Sequence, residues 1–170
     1  MKRLTAIFSI LLTLALLPAA AQSDLQAILK RTAINPVSFD YSFTATGKVP
    51  VMGGGSVSVQ GKMYRTEGGG LKIWCDSLTR WTLDTEAKEA YIEKVSDSPD
   101  ILSDPVPYLG SLTDLKTNPD GTVTGIWKPQ DQEFRFTISN IRQIPRRDGP
   151  DDFRFDTSTL GKDWVVTDLR

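Results

Sequence analysis

Apolar and polar residues alternate with a period of two along most of this chain, a pattern typical of β-strands with one buried face. The clearest case is the run in which Phe39, Tyr41 and Phe43 alternate with polar residues as far as Thr46. Further strands are predicted at 71–75, 79–84, 87–95, 122–128, 133–141, 153–156 and 164–168. The short turns between most of these segments favour an antiparallel meander over parallel crossovers.

A second early strand is predicted after the glycines 53–55, which we interpret as a flexible turn. Val57, Val59 and Met63 share one parity, so we expect them on one apolar face of this strand and its continuation. The same parity extends to Arg65, which predicts a cation at the end of that face.

Near the start of the chain, before the first strand, apolar residues recur with the period of a helix. Leu25, Ile28 and Leu29 fall at helical spacing after Ser23, a suitable N-cap, and Pro36 ends the pattern. The sequence therefore predicts a helix of about three turns with one apolar stripe. The stripe either packs on the sheet or covers a ligand cavity, and the pattern leaves both alternatives open.

A second helical segment is predicted between the strands, over 98–113. Leu102, Val106 and Leu109 lie at spacings of three and four, and Asp104-Pro105 suits an N-cap and first helical position. We expect a short, broken helix here, inserted between successive strands.

The first residues of the chain have the composition of a secretory signal. Lys2-Arg3 is followed by an uncharged stretch over 4–17 and by the small residues Ala19-Ala20-Ala21. The uncharged stretch is shorter than the roughly 20 apolar residues that a membrane-spanning helix needs. We therefore expect a signal peptide over 1–21, a single domain over 22–170, and export of the mature protein.

Composition narrows the chemistry open to this domain. The chain has no histidine, which removes imidazole-based triads and the usual zinc ligand, so we expect no catalytic residues, metal or cofactor. Its 20 basic residues are scattered among 21 acidic ones, and nucleic-acid binding normally needs a positive face. Cys75, the only cysteine, excludes an internal disulfide and is interpreted as a small buried hydrophobe.

Aromatic residues gather in the middle of the chain, and the default interpretation is that they form the core. A strongly curved sheet of this length, however, encloses more apolar surface than its own side chains fill. An incomplete barrel closed by two helices would suit an acyl chain, which gains roughly 0.8 kcal/mol for each buried methylene.

Several segments, in this order, resemble those of one family. They are Phe39-Asp40-Tyr41-Ser42-Phe43 after the first helix, Gly55-Ser56-Val57-Ser58-Val59, Cys75-Asp76-Ser77-Leu78-Thr79-Arg80-Trp81, Asp104-Pro105-Val106-Pro107-Tyr108-Leu109, Phe153-Arg154-Phe155-Asp156, and 165–170. The chain resembles the outer-membrane lipoprotein carrier proteins, the LolA-like chaperones of the Gram-negative periplasm. Three positions depart from the family: Ser77 replaces a turn glycine, Gly61-Lys62 stands where the family has the arginine that clasps its lid, and Leu160-Gly161 occupies the region before the last strand where the family commonly has prolines.

The resemblance implies a mainly β fold, an incomplete (unclosed) antiparallel β-barrel with an N-terminal helix and a short inserted helical lid. It implies a periplasmic monomer that carries the acyl chains of lipoproteins from an inner-membrane lipoprotein exporter to an outer-membrane acceptor. The implied lid contact is Lys62 or Arg65. The implied lipid-binding residues are Phe39, Tyr41, Phe43, Val57, Val59, Met63, Leu102, Val106, Leu109, Phe134 and Phe136.

Two other functions remain open from the sequence. The same fold could serve as a binding or sensor module that recognises protein and has a filled core. An exported hydrolase that uses two carboxylates is a third alternative. Its candidate carboxylates, Asp76, Asp84, Glu86, Glu89 and Glu93, mostly fall in turns or on the outward parity of strands.

Overall fold

The computed structural model describes residues 24–46, 51–95, 106–129, 132–149 and 151–170. Within these residues the protein is mainly β, with ten strands in one mixed sheet of order β10-β6-β5-β4-β3-β2-β1-β9-β8-β7. The sheet is not closed into a barrel, because β7 and β10 lie at its two edges. The strands are β1 (Val37–Thr46), β2 (Val51–Gln60), β3 (Met63–Gly68), β4 (Leu71–Cys75), β5 (Thr79–Asp84), β6 (Glu89–Lys94), β7 (Thr113–Thr117), β8 (Val123–Trp127), β9 (Glu133–Gln143) and β10 (Val165–Asp168).

The prediction of an entirely antiparallel sheet is wrong at one edge. Neighbouring strands are antiparallel everywhere except at β10, which pairs with β6 in parallel. The prediction depended on short turns between consecutive strands, but β7, β8 and β9 intervene between β6 and β10.

In the part of the chain that the structure describes, the helices are few and short. One α-helix, α1 (Asp24–Lys30), precedes the sheet and is shorter than the three turns expected from the sequence. A 3-10 helix over Val106–Ser111 leads into β7, and Leu109 within it and Leu112 after it are both buried. Leu102 and the predicted helix start at Asp104-Pro105 lie outside the described residues. None of the helices in the described ranges has the length and apolar character needed to cross a membrane.

The three glycines interpreted as a turn lie inside β2, so that prediction is wrong. A Cβ atom on Gly53 would come within 2.6 Å of the Phe43 ring, and one on Gly55 within 2.2 Å of the Glu67 carbonyl oxygen. The strand therefore contains glycine because neighbouring atoms occupy the space that side chains would need.

The sheet has a hydrophobic core on each face. The first core is built mainly on β1, β2 and β9 and also receives Leu25 of α1. The second core is built on β4, β5 and β6 and is covered by the C-terminal segment over 151–164. Successive residues of a strand point to opposite faces, and β4 contributes to both cores: Ile73 and Cys75 to the first, Trp74 to the second.

The C-terminal cover was predicted to contain a strand over 153–156, and this prediction is wrong. A 3-10 helix ends at Phe153, which is buried, and the chain continues outside the sheet. Phe155 packs its ring against Trp74, with the ring centroids 4.7 Å apart. Phe155 therefore covers the second core, and neither it nor Phe153 belongs to a strand.

Candidate functional site

The main candidate site is a cavity of about 760 Å³ at one end of the sheet. Four pieces of chain meet there: the β2–β3 turn, the β4–β5 turn, the end of β6 and the C-terminal residue Arg170. Leu29 of α1 and Val106 of the 3-10 helix line it from the helical side. We call this space the end cavity.

One cross-strand row of side chains runs along the end cavity, and all of its members except the last, Glu93, line the cavity. Val59, Tyr64, Cys75, Arg80 and Glu93 are successive register partners across β2, β3, β4, β5 and β6. Directly paired residues share one face of a sheet, so these five side chains lie side by side. Along the row, apolar side chains give way to charged ones. The first three are almost fully buried. The end cavity is therefore apolar at β2–β4 and polar at β5–β6.

The polar end of the row is an ion pair. The Arg80 Nε atom donates a hydrogen bond of 2.7 Å to the Glu93 carboxylate, and Nη2 of Arg80 donates to the same oxygen. The Arg80 side chain is 12% exposed and that of Glu93 is 29% exposed. Because Arg80 is largely buried, its charge depends on this partner for compensation.

Three further cations stand around the end cavity: Lys62, Lys94 and Arg170. Arg170 is paired with Asp168 at 2.7 Å, and hydrogen bonds from its side chain and backbone lower the pKa of Asp168 to about 2. Within the described part of the chain, Lys62 and Lys94 have no ion-pair partner. Their charges are therefore not neutralised by those residues.

The β4–β5 turn at the mouth of the end cavity is held by Asp76. The Asp76 carboxylate accepts backbone N–H groups from Leu78 at 3.0 Å and Thr79 at 2.8 Å, and the Arg154 guanidinium donates to it at 2.8 Å. Burial acts to raise the pKa of Asp76, but these hydrogen bonds and the charge of Arg154 outweigh it, so its pKa lies below the ordinary value. Ser77 has φ of 82°, a left-handed conformation that glycine adopts at less cost than a residue with a side chain.

The predicted lipid-binding residues are divided between the first core and the end cavity. Val59 and Val106 line the end cavity, and so does Lys62, one of the two predicted lid contacts. Leu102 lies outside the described residues. Seven others are packed into the first core and are almost fully buried: Phe39, Tyr41, Phe43, Val57, Leu109, Phe134 and Phe136.

Met63 and Arg65 lie on the other face of the sheet from Val57 and Val59, so the predicted common face is wrong. The two-residue turn Gly61-Lys62 pairs Gln60 with Met63, and therefore Val59 with Tyr64. Odd-numbered residues of β2 therefore face the first core, whereas on β3 the even-numbered residues do. The Arg65 guanidinium lies 4.9 Å from the ring centroid of Trp74 on the opposite face.

Sequence reasoning missed Tyr64, Arg80, Lys94 and Arg170 as cavity residues. Tyr64 could have been found, because a two-residue turn at Gly61-Lys62 reverses the parity of the buried face. No local pattern identifies the others, because their position depends on which strands are neighbours in the folded sheet.

No group of three or more acidic or cysteine side chains arranged to hold a metal ion occurs among the described residues. The carboxylates near the end cavity are also engaged: Glu93 by Arg80, Asp168 by Arg170 and Asp76 by backbone N–H groups. The side chains that remain to meet a ligand are apolar groups, cations and the hydroxyl groups of Thr32, Ser77 and Thr79.

Comparison with known proteins gives the fold and no function. No family model matches the chain, and no curated protein matches its sequence. The crystal structure of an uncharacterized conserved protein from Thermus thermophilus is similar, with a TM-score of 0.50 and 10% sequence identity. The similarity covers 88% of this chain and 99% of that chain. At this identity, the likeness is evidence for a shared fold alone.

Proposed function

We propose that the protein is an exported, non-enzymatic carrier that binds an acyl chain in the end cavity. The observation that supports this proposal is the apolar wall of Val59, Tyr64 and Cys75, faced by Leu29 and Val106 across an open space of about 760 Å³. Small-molecule sites in proteins commonly have volumes of about 300–1,000 Å³ and mostly apolar walls. Each methylene buried there would contribute roughly 0.8 kcal/mol.

The proposal moves the acyl site away from the phenylalanines of the first core. Phe39 and Phe136 are 2% and 1% exposed, so they already fill the space around them. Protein interiors are close-packed, so a further chain could enter this core only by displacing side chains. The first core therefore acts as a rigid support, and the ligand occupies the end cavity beside it.

Lipoproteins are the proposed cargo, carried across the periplasm between an inner-membrane exporter and an outer-membrane acceptor. This part of the proposal is supported by the sequence resemblance to lipoprotein carriers and by the signal-like residues 1–21. The cavity chemistry is compatible with it, because an acyl chain needs apolar walls and no reactive group.

The test is displacement of the neutral dye Nile red from the purified protein by a synthetic triacylated lipopeptide. We expect the dye to bind and the lipopeptide to displace it. Val106→Asp places a charge against the bound chain and should weaken binding at least tenfold. Val166→Asp is the matched control, because Val166 is a partly exposed valine on β10 that does not line the end cavity.

Cys75 gives a readout that does not depend on a variant. It is the only cysteine of the chain, it lines the end cavity and it is 1% exposed, so it should react slowly with a small reagent such as methyl methanethiosulfonate, and bound lipopeptide should slow that reaction further. Failure of the lipopeptide both to displace the dye and to protect Cys75 would contradict acyl carriage. It would favour a module of the same fold that recognises protein.

A further inference from the structure

The two edges of the sheet differ in how they are protected against pairing with another strand. The β7 edge is interrupted: its register with β8 shifts between Thr113 and Lys116, and Asp114 has φ of 51°. A bulge of this kind, together with a charged side chain such as Lys116, hinders the addition of a further strand. Sheets in natural proteins commonly carry such protection, so an edge without it is informative.

The β10 edge has none of these protective features. Its residues pair with β6 in an unbroken register, and the run Val165-Val166-Thr167 contains neither proline nor a charge. In the described parts of the chain, β6 is the only strand beside it. Val165 is 60% exposed and Val166 is 44% exposed. The β10 edge is therefore open and apolar.

The backbone of β10 presents a defined set of hydrogen-bonding groups at this edge. The N–H groups of Val165 and Leu169 donate to carbonyl oxygens on the β6 side, at 2.9 and 2.8 Å. Backbone groups alternate in direction along a strand. The N–H groups of Val166 and Asp168 and the carbonyl groups of Trp164 and Val166 therefore point away from β6. The backbone of a further strand supplies the matching donors and acceptors.

We propose that the β10 edge is a self-association surface, on which β10 of a second copy of this chain pairs antiparallel about a two-fold axis centred on Val166. In this register Val166 faces Val166 of the second copy, and Val165 faces its Thr167. These facing side chains are all β-branched, and such pairs stabilise neighbouring strands. The outward backbone groups then satisfy one another: the two Val166 residues exchange hydrogen bonds, and each Asp168 N–H donates to the Trp164 carbonyl of the other copy.

The charges near β10 do not oppose this pairing. Asp168 is paired with Arg170, and Asp163 with Lys88, within each copy. Lys162 lies in the turn before the strand and therefore outside the paired segment. A second copy is favoured over an unrelated strand because one run of β-branched residues supplies both partners and brings no unpaired charge into the ladder.

The dimer is small and leaves both end cavities accessible. A strand of four residues buries far less than the roughly 1,600 Å² of a standard interface, so the association is reversible and needs a high protein concentration. None of the residues 164–169 lines the end cavity. Because the paired strands are antiparallel, the two Arg170 residues, and with them the two cavities, lie at opposite ends of the shared edge. The inference therefore goes beyond acyl carriage and does not depend on it.

Sedimentation velocity of the purified protein tests the association. Between about 5 μM and about 500 μM, the average mass should rise toward that of a dimer. Val166→Pro removes the outward N–H, which β6 does not use, and should abolish the rise while the near-ultraviolet circular dichroism of the tryptophans stays unchanged. Val166→Thr is the matched control, because it keeps both the N–H and a β-branched side chain, and it should still associate.

Cysteine cross-linking gives a measurement that does not depend on the proline variant. Residues that face each other in a hydrogen-bonded antiparallel pair have Cα atoms about 5.5 Å apart, within the range that disulfides span. Val166→Cys should therefore form a covalent dimer when its thiols are oxidised by oxygen with copper phenanthroline. Val95→Cys is the control, because Val95 is 43% exposed and lies outside β10. Cys75 is 1% exposed and is common to both variants.

A monomer at every concentration, the state that the family resemblance implies, would overturn this inference and leave acyl carriage untouched. Association that persists in folded Val166→Pro would overturn it too. If Val166→Pro does not fold, the cysteine variants decide: selective cross-linking of Val166→Cys supports the inference, and equal cross-linking of Val166→Cys and Val95→Cys contradicts it.

Discussion

Asp76 connects the mouth of the end cavity to the C-terminal cover of the second core, and its substitution tests that connection. Its carboxylate accepts two backbone N–H groups of the β4–β5 turn and the guanidinium of Arg154. The Asp76 side chain is 5% exposed, while that of Arg154 is 51% exposed. The substitutions Asp76→Ala and Asp76→Asn separate the hydrogen bonds to the turn from the ion pair.

The expected losses follow from what each substitution removes. Asp76→Ala leaves the Thr79 N–H without an acceptor, at about 1–3 kcal/mol, whereas the exposed Leu78 can turn its N–H to water. Loss of the half-exposed Arg154 pair adds up to about 1 kcal/mol. The total is about 1–4 kcal/mol. Asp76→Asn keeps an oxygen acceptor and loses mainly the charge, so we expect about 1–2 kcal/mol.

The effect depends on pH in a defined direction. The pKa of Asp76 is lowered in the folded state from its ordinary value of 3.8, so its charged form stabilises the fold. This contribution is fully present above the unfolded-state pKa and is lost as the pH falls through the lower folded-state pKa. The stability difference between the unmodified protein and Asp76→Asn should therefore be largest near neutral pH and shrink below about pH 3.8.

Urea unfolding monitored by tryptophan fluorescence at pH 7 and pH 3 measures both quantities. Arg154→Gln provides the second side of a double-mutant cycle with Asp76→Asn. The reasoning is refuted if Asp76→Ala is as stable as the unmodified protein at pH 7. It is refuted equally if the stability difference of Asp76→Asn is the same at the two pH values.

Two further predictions concern the packing of the sheet. Gly55→Ala would force a methyl group to within 2.2 Å of a backbone oxygen and should destabilise the protein by about 3 kcal/mol. The control Gly149→Ala places its methyl group in open space and should change the stability little. Thermal unfolding compares the two variants, and equal melting temperatures would contradict the close approach at Gly55. Phe155→Ala removes the ring that covers Trp74 and should lower the free energy of unfolding by about 1–3 kcal/mol, because Phe155 is only partly buried. The near-ultraviolet circular dichroism of the tryptophans should also change. An unchanged spectrum would count against the packing of the C-terminal segment on the second core.

Most strands of the sheet could be predicted from the alternation of apolar and polar residues along the sequence. β1 shows why: its buried and exposed positions alternate from Phe39 to Thr46 as the sequence indicates. β7 was missed because Leu115 is its only buried residue, too little for a pattern. The glycines of β2 were misinterpreted because a single sequence does not show that Phe43 and Glu67 approach them in the fold.

The candidate site could be predicted less well, because its position depends on the pairing between strands. Val59 and Val106 were expected to contact a ligand and do line the end cavity. The parity error at Met63 arose from counting through a tight turn, where pairing of the flanking residues exchanges odd and even positions. Arg170 reaches the end cavity only because β10 pairs with β6 in parallel, which no local signal indicates.

The end cavity itself follows from a change of buried face along the sheet. On β1, β2 and β9 the large apolar side chains point into the first core and fill it. On β5 and β6 the apolar side chains, such as Trp81 and Ile92, point to the second core, and the opposite face carries Arg80 and Glu93 in their place. These charged side chains pair with one another and cannot extend the first core, so the space beside Tyr64 and Cys75 stays open. A sheet with the same strands but a single buried face would have filled this space, and the second core is therefore what makes a binding site at this end of the molecule possible.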